Sequence, residues 1–119
     1  MNPFKYRPKI NSGRLNKRIK LLVFTEPKDD AGGYVDEWPN VGWEEIATLW
    51  ASVEPLRGRD FYEAQQSQAE ISHKVIIRYR EGVERSQTIN FKGRRFDIEY
   101  IINPNEKNQF LELMCVERL

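Results

Sequence analysis

Residues 87–116 read "QTINFKGRRFDIEYIINPNEKNQFLELMCV", and their period of two decides the fold class. In the middle of the stretch Phe96, Ile98, Tyr100 and Ile102 share one parity, and Arg95, Asp97 and Glu99 share the other. Successive side chains of an extended chain point to opposite faces, so this pattern predicts a strand with one packed and one wet side. The flanking runs Gln87–Phe91 and Phe110–Val116 are rich in β-branched, aromatic and aliphatic residues and read as strands too. Lys92 and Gly93 separate the first two runs at tight-hairpin distance, and "NPNEKN" supplies a looser turn before the third. Three consecutive strands in an antiparallel meander follow.

Upstream, "RIKLLVF" (Arg18–Phe24), "ATLWASV" (Ala47–Val53) and "KVIIRYR" (Lys74–Arg80) repeat the signal. Shared parity places Ile19, Leu21, Val75, Ile77, Phe96, Ile98, Tyr100, Leu111, Leu113 and Cys115 in the core. One stretch breaks the pattern. From Pro55 to Glu70 there is no β-branched residue, and Asp60 and Glu63 sit where a first helical turn favours acids, which predicts a helix over about Gly58–Gln68 that docks through Phe61, Tyr62 and Ala64. The expected fold is mainly β: one domain over residues 1–119, a small six-stranded antiparallel barrel with one α-helix and a long loop between the first two strands. Closing the sheet removes the exposed edges that an open sheet would leave.

The chain has 119 residues, 39% hydrophobic and 31% charged, with a net charge of +1. That size fits a single core. With Cys115 the sole cysteine there is no intrachain disulfide, and with His73 the sole histidine there is no cluster of soft metal ligands. No apolar run reaches the length of a membrane span and the start lacks the apolar centre of a signal peptide, so an intracellular protein at synthesis is expected. No phosphate-binding glycine motif occurs. His73 sits in an alternating strand and reads as structural, the acid pairs Asp29–Asp30 and Glu44–Glu45 read as solvated, and Cys115 reads as a small buried hydrophobe. No catalytic residue, cofactor or metal is expected; the pattern suits a binding or assembly module.

The near-neutral total hides segregation. Lys5, Arg7, Lys9, Arg14, Lys17, Arg18 and Lys20 stand before any acid; residues 26–45 then carry Glu26, Asp29, Asp30, Asp36, Glu37, Glu44 and Glu45 against Lys28. A second basic block runs from Arg78 through Arg80 to Arg94 and Arg95. Charge in blocks suggests faces that meet other charged faces. Residues 1–12 read as a flexible basic arm and residues 25–42 as a functional loop, longer than most connections in a compact domain. Gly32 and Gly33 let that loop bend. Tyr34 and Trp38 could be anchors buried only on assembly; equally, Trp38 and Trp43 could fold back on their own barrel.

The order "GRLNKRI" (Gly13–Ile19), "DAGGYVDEW" (Asp30–Trp38) and "WASVEPLRGRDFYEA" (Trp50–Ala64), continued by "HKVIIRYREGV" and the meander, resembles the head–tail joining (head closure) proteins of tailed bacteriophages and prophages over residues 12–117. The resemblance implies a structural protein that forms a ring below the portal–adaptor stack, closes the DNA exit channel and gives the tail a docking surface. It implies a monomer before assembly in the host bacterial cytoplasm, then a place in the virion connector. Its partners would be portal, adaptor and tail completion proteins, with passing proximity to packaged double-stranded DNA and no membrane. The channel or assembly loop would comprise Asp29, Asp30, Gly32, Gly33, Tyr34, Asp36, Glu37 and Trp38; partner or DNA contacts would fall to Lys5, Arg7, Lys9, Arg14, Lys17, Arg78, Arg80, Arg94 and Arg95. The loop acids could repel DNA at the axis or meet a basic block of a neighbouring subunit. The alternative class is a small-barrel nucleic-acid-binding protein that uses the basic arm and the Arg78–Arg95 block, against which the near-neutral net charge speaks.

Overall fold

The computed structural model describes residues 12–26, 32–33, 36–56 and 71–119. Residues 1–11, most of the basic arm, and the expected helix at 58–68 lie outside them. Six strands form a closed barrel: β1 (Lys17–Phe24), β2 (Trp43–Pro55), β3 (His73–Arg78), β4 (Gln87–Phe91), β5 (Arg94–Ile102) and β6 (Phe110–Arg118). Their order around the barrel is β1-β2-β3-β6-β5-β4, every pairing is antiparallel, and β1 closes on β4 through Leu21 opposite Ile89. Short 3-10 turns cover Ser12–Arg14 and Pro104–Glu106.

The meander forms as its sequence dictates. Phe91 pairs with Arg94, and Lys92 and Gly93 both take positive φ (54° and 84°), the geometry of a two-residue turn whose twist matches that of the strands. The Asn90 side-chain oxygen accepts the Gly93 N–H at 2.8 Å and secures the turn. Only β2 differs much in extent from the run in the sequence, starting at Trp43 where the apolar alternation begins at Ala47, because Glu44 and Glu45 pair with Val23 and Leu22 of β1 despite being exposed.

The interior is one apolar cluster of Ile19, Leu21, Ala51, Val75, Ile77, Ile89, Phe91, Phe96, Ile98, Leu111, Leu113 and Cys115. Nine of the ten residues expected inside are there; Tyr100 is not. A bulge at Glu99 shifts the register of β5 between Ile98, opposite Cys115, and Tyr100, opposite Met114. One extra residue reverses every later side chain, so Ile101 packs on the barrel core while Tyr100 joins Ile71, Met114, Leu56 and Val116 in a second cluster. Met114 alternates with Leu113 and Cys115, so that cluster lies on the outer face of β6. A bulge between β1 and β2 acts likewise: Leu21 faces Ala47 and Leu22 faces Glu45, which leaves Ile46 as the extra residue, 39% exposed.

Candidate functional site

The loop 25–42 leaves the barrel through a closed neck. Both the Thr25 N–H and its hydroxyl donate to the Gly42 carbonyl, at 2.8 and 3.0 Å, where β1 gives way to β2. Inside the neck a tight turn returns the chain: the Glu37 N–H donates to the Val41 carbonyl (2.7 Å), and the Asn40 N–H to the Glu37 carbonyl (2.6 Å). Gly32 takes φ +87°, a backbone state open to glycine, and both Gly32 and Gly33 are exposed.

This end of the loop lies on the outside of the barrel. The Trp38 indole N–H donates to the Gly93 carbonyl at 2.9 Å, bridging the loop to the β4–β5 turn. Trp38 meets Trp43 edge to face with ring centroids 4.8 Å apart, and Trp43 leans on Phe24 at 5.3 Å. The Trp43 indole N–H donates to Asp36 Oδ1 at 2.6 Å. Arg95 lies against both indoles, its guanidinium carbon 4.8 Å from the Trp43 ring and 5.5 Å from that of Trp38. Two carboxylates face this cation, Asp36 at 3.7 Å and Asp97 at 3.5 Å; Asp97 also accepts from Arg118. Arg95 Nε is buried without a hydrogen bond, so Asp97 holds it by charge alone. The cleft beside this cluster, about 480 Å³, is lined among others by Phe24, Trp43, Arg85, Thr88 and Asp97. Trp38 is therefore anchored within its own chain, and the folded-back arrangement of the tryptophans is the one the structure has; an anchor that stays unburied until assembly does not describe Trp38.

The cationic block divides because neighbours on a strand face opposite ways. Arg94 turns from Arg95 and forms two hydrogen bonds of 2.8 Å to Glu117. This pairing lowers the Glu117 carboxyl below its ordinary range and raises the Arg94 guanidinium further. His73 stands edge-on to Phe96 at 4.8 Å with Nδ1 2.9 Å from Ser72 Oγ, and Ser72 Oγ accepts the Glu117 N–H at 2.8 Å. Burial lowers the His73 pKa, more than the Glu117 charge raises it. The serine and histidine thus tie β3 to β6 beside an arginine, and among the described residues no acid is hydrogen-bonded to the imidazole as the orienting partner of a general base would be. Burial in the core raises the Cys115 thiol far above its ordinary value.

Of the other residues expected to meet partners, Arg14 is held by Glu54 at 2.6 Å, while Lys17, Arg78 and Arg80 are exposed. Asp29, Asp30, Tyr34, Lys5, Arg7 and Lys9 lie outside the described residues. Among the described residues no three His, Cys, Asp or Glu side chains group to hold a metal ion. Two arrangements have no signal in the sequence: the Asp36–Trp43–Arg95 cluster, and an exposed Trp50 over which Arg18 stacks at 4.3 Å. Both join residues that only barrel closure or strand register brings together.

The family model of phage head completion proteins matches residues 10–118. The chain belongs to that family, structural components of the bacteriophage virion. It is 25% identical over 111 residues to the head completion protein gp7 of Enterobacteria phage HK97, covering 89% of this chain and 95% of that protein. The solution structure of protein SF1141 from Shigella flexneri 2a superposes with a TM-score of 0.64 at 29% identity, covering 91% of this chain and 96% of the other. A chain of the native gene transfer agent virion shares the fold, with a TM-score of 0.54 at 17% identity and coverage of 94% and 98%.

Proposed function

We propose that the barrel is one subunit of a ring between the portal–adaptor stack and the tail, and that residues 25–42 form the element by which it closes the DNA exit channel and presents a docking surface. The observation that carries this reading is the built neck and foot of the loop. Thr25, Asp36, Trp38 and Trp43 are bonded to the barrel or to one another, so the bend at Gly32–Gly33 leaves from a fixed base. A connection of this length with no mechanical duty would not need two indoles to set its direction. The exposed acid Glu26, with Asp29 and Asp30 in the same segment, would hold DNA phosphates off a gate that must later let them pass. No catalysis enters: the chain's work is to occupy a position and hold its neighbours, assembled in the host cytoplasm from monomers.

The test is a chain whose residues 29–35 are replaced by a Gly-Ser linker of equal length, which spares Asp36 and the tryptophans. Heads completed with it should leak DNA or lack tails while the purified chain melts normally. Particles that keep their DNA and carry tails would remove the loop from both roles.

A further inference from the structure

Two patches at opposite ends of the β1–β2 pair match each other. At one end Arg18 stacks on Trp50, its cross-strand partner, yet the indole remains 52% exposed. Leu15, Asn16, Trp50 and Arg78 line an open groove of about 430 Å³ there. Arg14, Arg94, Arg95 and Arg118 each have a carboxylate at ion-pair distance; Arg18 and Arg78 have none among the described residues. At the other end, roughly 20 Å along β2 at ~3.3 Å per residue from Trp50 to Glu44, the signs reverse. The turn presents Val41, 51% exposed, beside Glu37, and the bulge presents Ile46, 39% exposed, beside Glu44. Neither Glu37 nor Glu44 has a cation at ion-pair distance among the described residues.

Each patch therefore has an apolar centre with charge around it, of opposite sign at the two ends. Protein interfaces have that anatomy, and tryptophan and arginine are the residues on which binding most often turns. Two different complementary patches on one molecule make a head-to-tail contact, which repeats around a ring when its rotation closes. A two-fold contact between identical patches would instead set like charges together.

We propose that the Arg18–Trp50–Arg78 face of one copy receives the Val41–Ile46 edge of the next, with Glu37 and Glu44 paired to the two arginines. This rests on the ring assigned above and names its subunit contact. A DNA duplex is the poorer occupant, because its stacked bases offer nothing to an exposed indole.

The test is charge reversal and its rescue in assembled particles. R18E/R78E and E37R/E44R should each cut the yield of infectious particles about 100-fold or more, the scale of like charges set against each other, while both purified chains melt as the parent does. The chain carrying all four changes should recover most of the yield. Separately, Trp50→Cys and Glu44→Cys in one chain should give a ladder of disulfide-linked multimers in particles, since Cys115 is buried and does not compete. Normal yield from either pair, no recovery in the fourfold chain, or no ladder overturns the contact. So does a dimer from Trp50→Cys alone, which means a two-fold contact, or salt-dependent binding of a short duplex lost in R18E/R78E, which makes DNA the occupant. Deletion of the protein reports on the parent reading by itself: heads without it should lose DNA or tails whatever the subunit contact proves to be.

Discussion

The inside of the barrel and the cluster on its outside, where the loop returns, are built by different rules. Inside, Ile19, Leu21, Val75, Ile77, Phe96 and Leu113 meet because each sits at the inward parity of its strand, and any apolar side chain of suitable size would do much the same there. Outside, Asp36, Trp38, Trp43, Arg95 and Asp97 meet through particular donors, acceptors and ring faces. The first kind of assembly tolerates substitution by volume; the second depends on the identity of each atom.

The largest effect expected is at Phe96, which has no exposed surface. Phe96→Ala should lower the unfolding free energy by about 3–5 kcal/mol in urea titration. The same truncation at exposed Trp50 should cost less, about 1–2 kcal/mol, because half of that residue is already in water. Equal losses at the two sites would erase the distinction between a folding residue and a binding one.

At the outer cluster, Trp43→Ala should cost about 2 kcal/mol, the ring contacts and the bond to Asp36 together. Trp43→Phe should retain most of the ring contribution. If Phe were as damaging as Ala, the bond to Asp36 rather than the stacking would hold the loop.

A smaller and pH-dependent effect belongs to β3, β5 and β6. The folded pKa of Glu117 is lowered by Arg94, so its contribution is present above the unfolded carboxylate value and is lost as pH falls below it. His73 is lowered by burial, so the unfolded chain binds its proton first and stability declines as pH falls below about 6.5. Thermal melts should therefore show two acid-side declines; Glu117→Gln should flatten the lower one and His73→Gln the upper. A single decline untouched by either change would place the titration elsewhere.

The smallest effect on stability is expected from the loop. Exchanging residues 29–35 for Gly-Ser keeps the neck and foot intact, and even a doubled loop costs only about 0.6 kcal/mol. Extending the exchange to Asp36 should add a measurable loss, because Asp36 accepts the Trp43 indole N–H and faces Arg95. If both exchanges melt alike, the foot contributes nothing to the barrel and the loop's base is not fixed.

The sequence by itself determined the strands, the Lys92–Gly93 turn and most of the core, though not Ala51, Ile89 and Phe91, since period, turn chemistry and β propensity are properties of neighbours along the chain. It also carried the family, through short motifs in a fixed order. Only the tertiary structure decided where Tyr100 points, because the bulge at Glu99 depends on how β5 meets β6. It alone set Arg94 with Glu117 and Arg95 with two indoles, 57 and 52 positions from Trp38 and Trp43. It alone left Trp50 open between Arg18 and Arg78. Such pairings follow from register and closure, and these are fixed by the free energy of the whole barrel at once rather than by any segment of the chain.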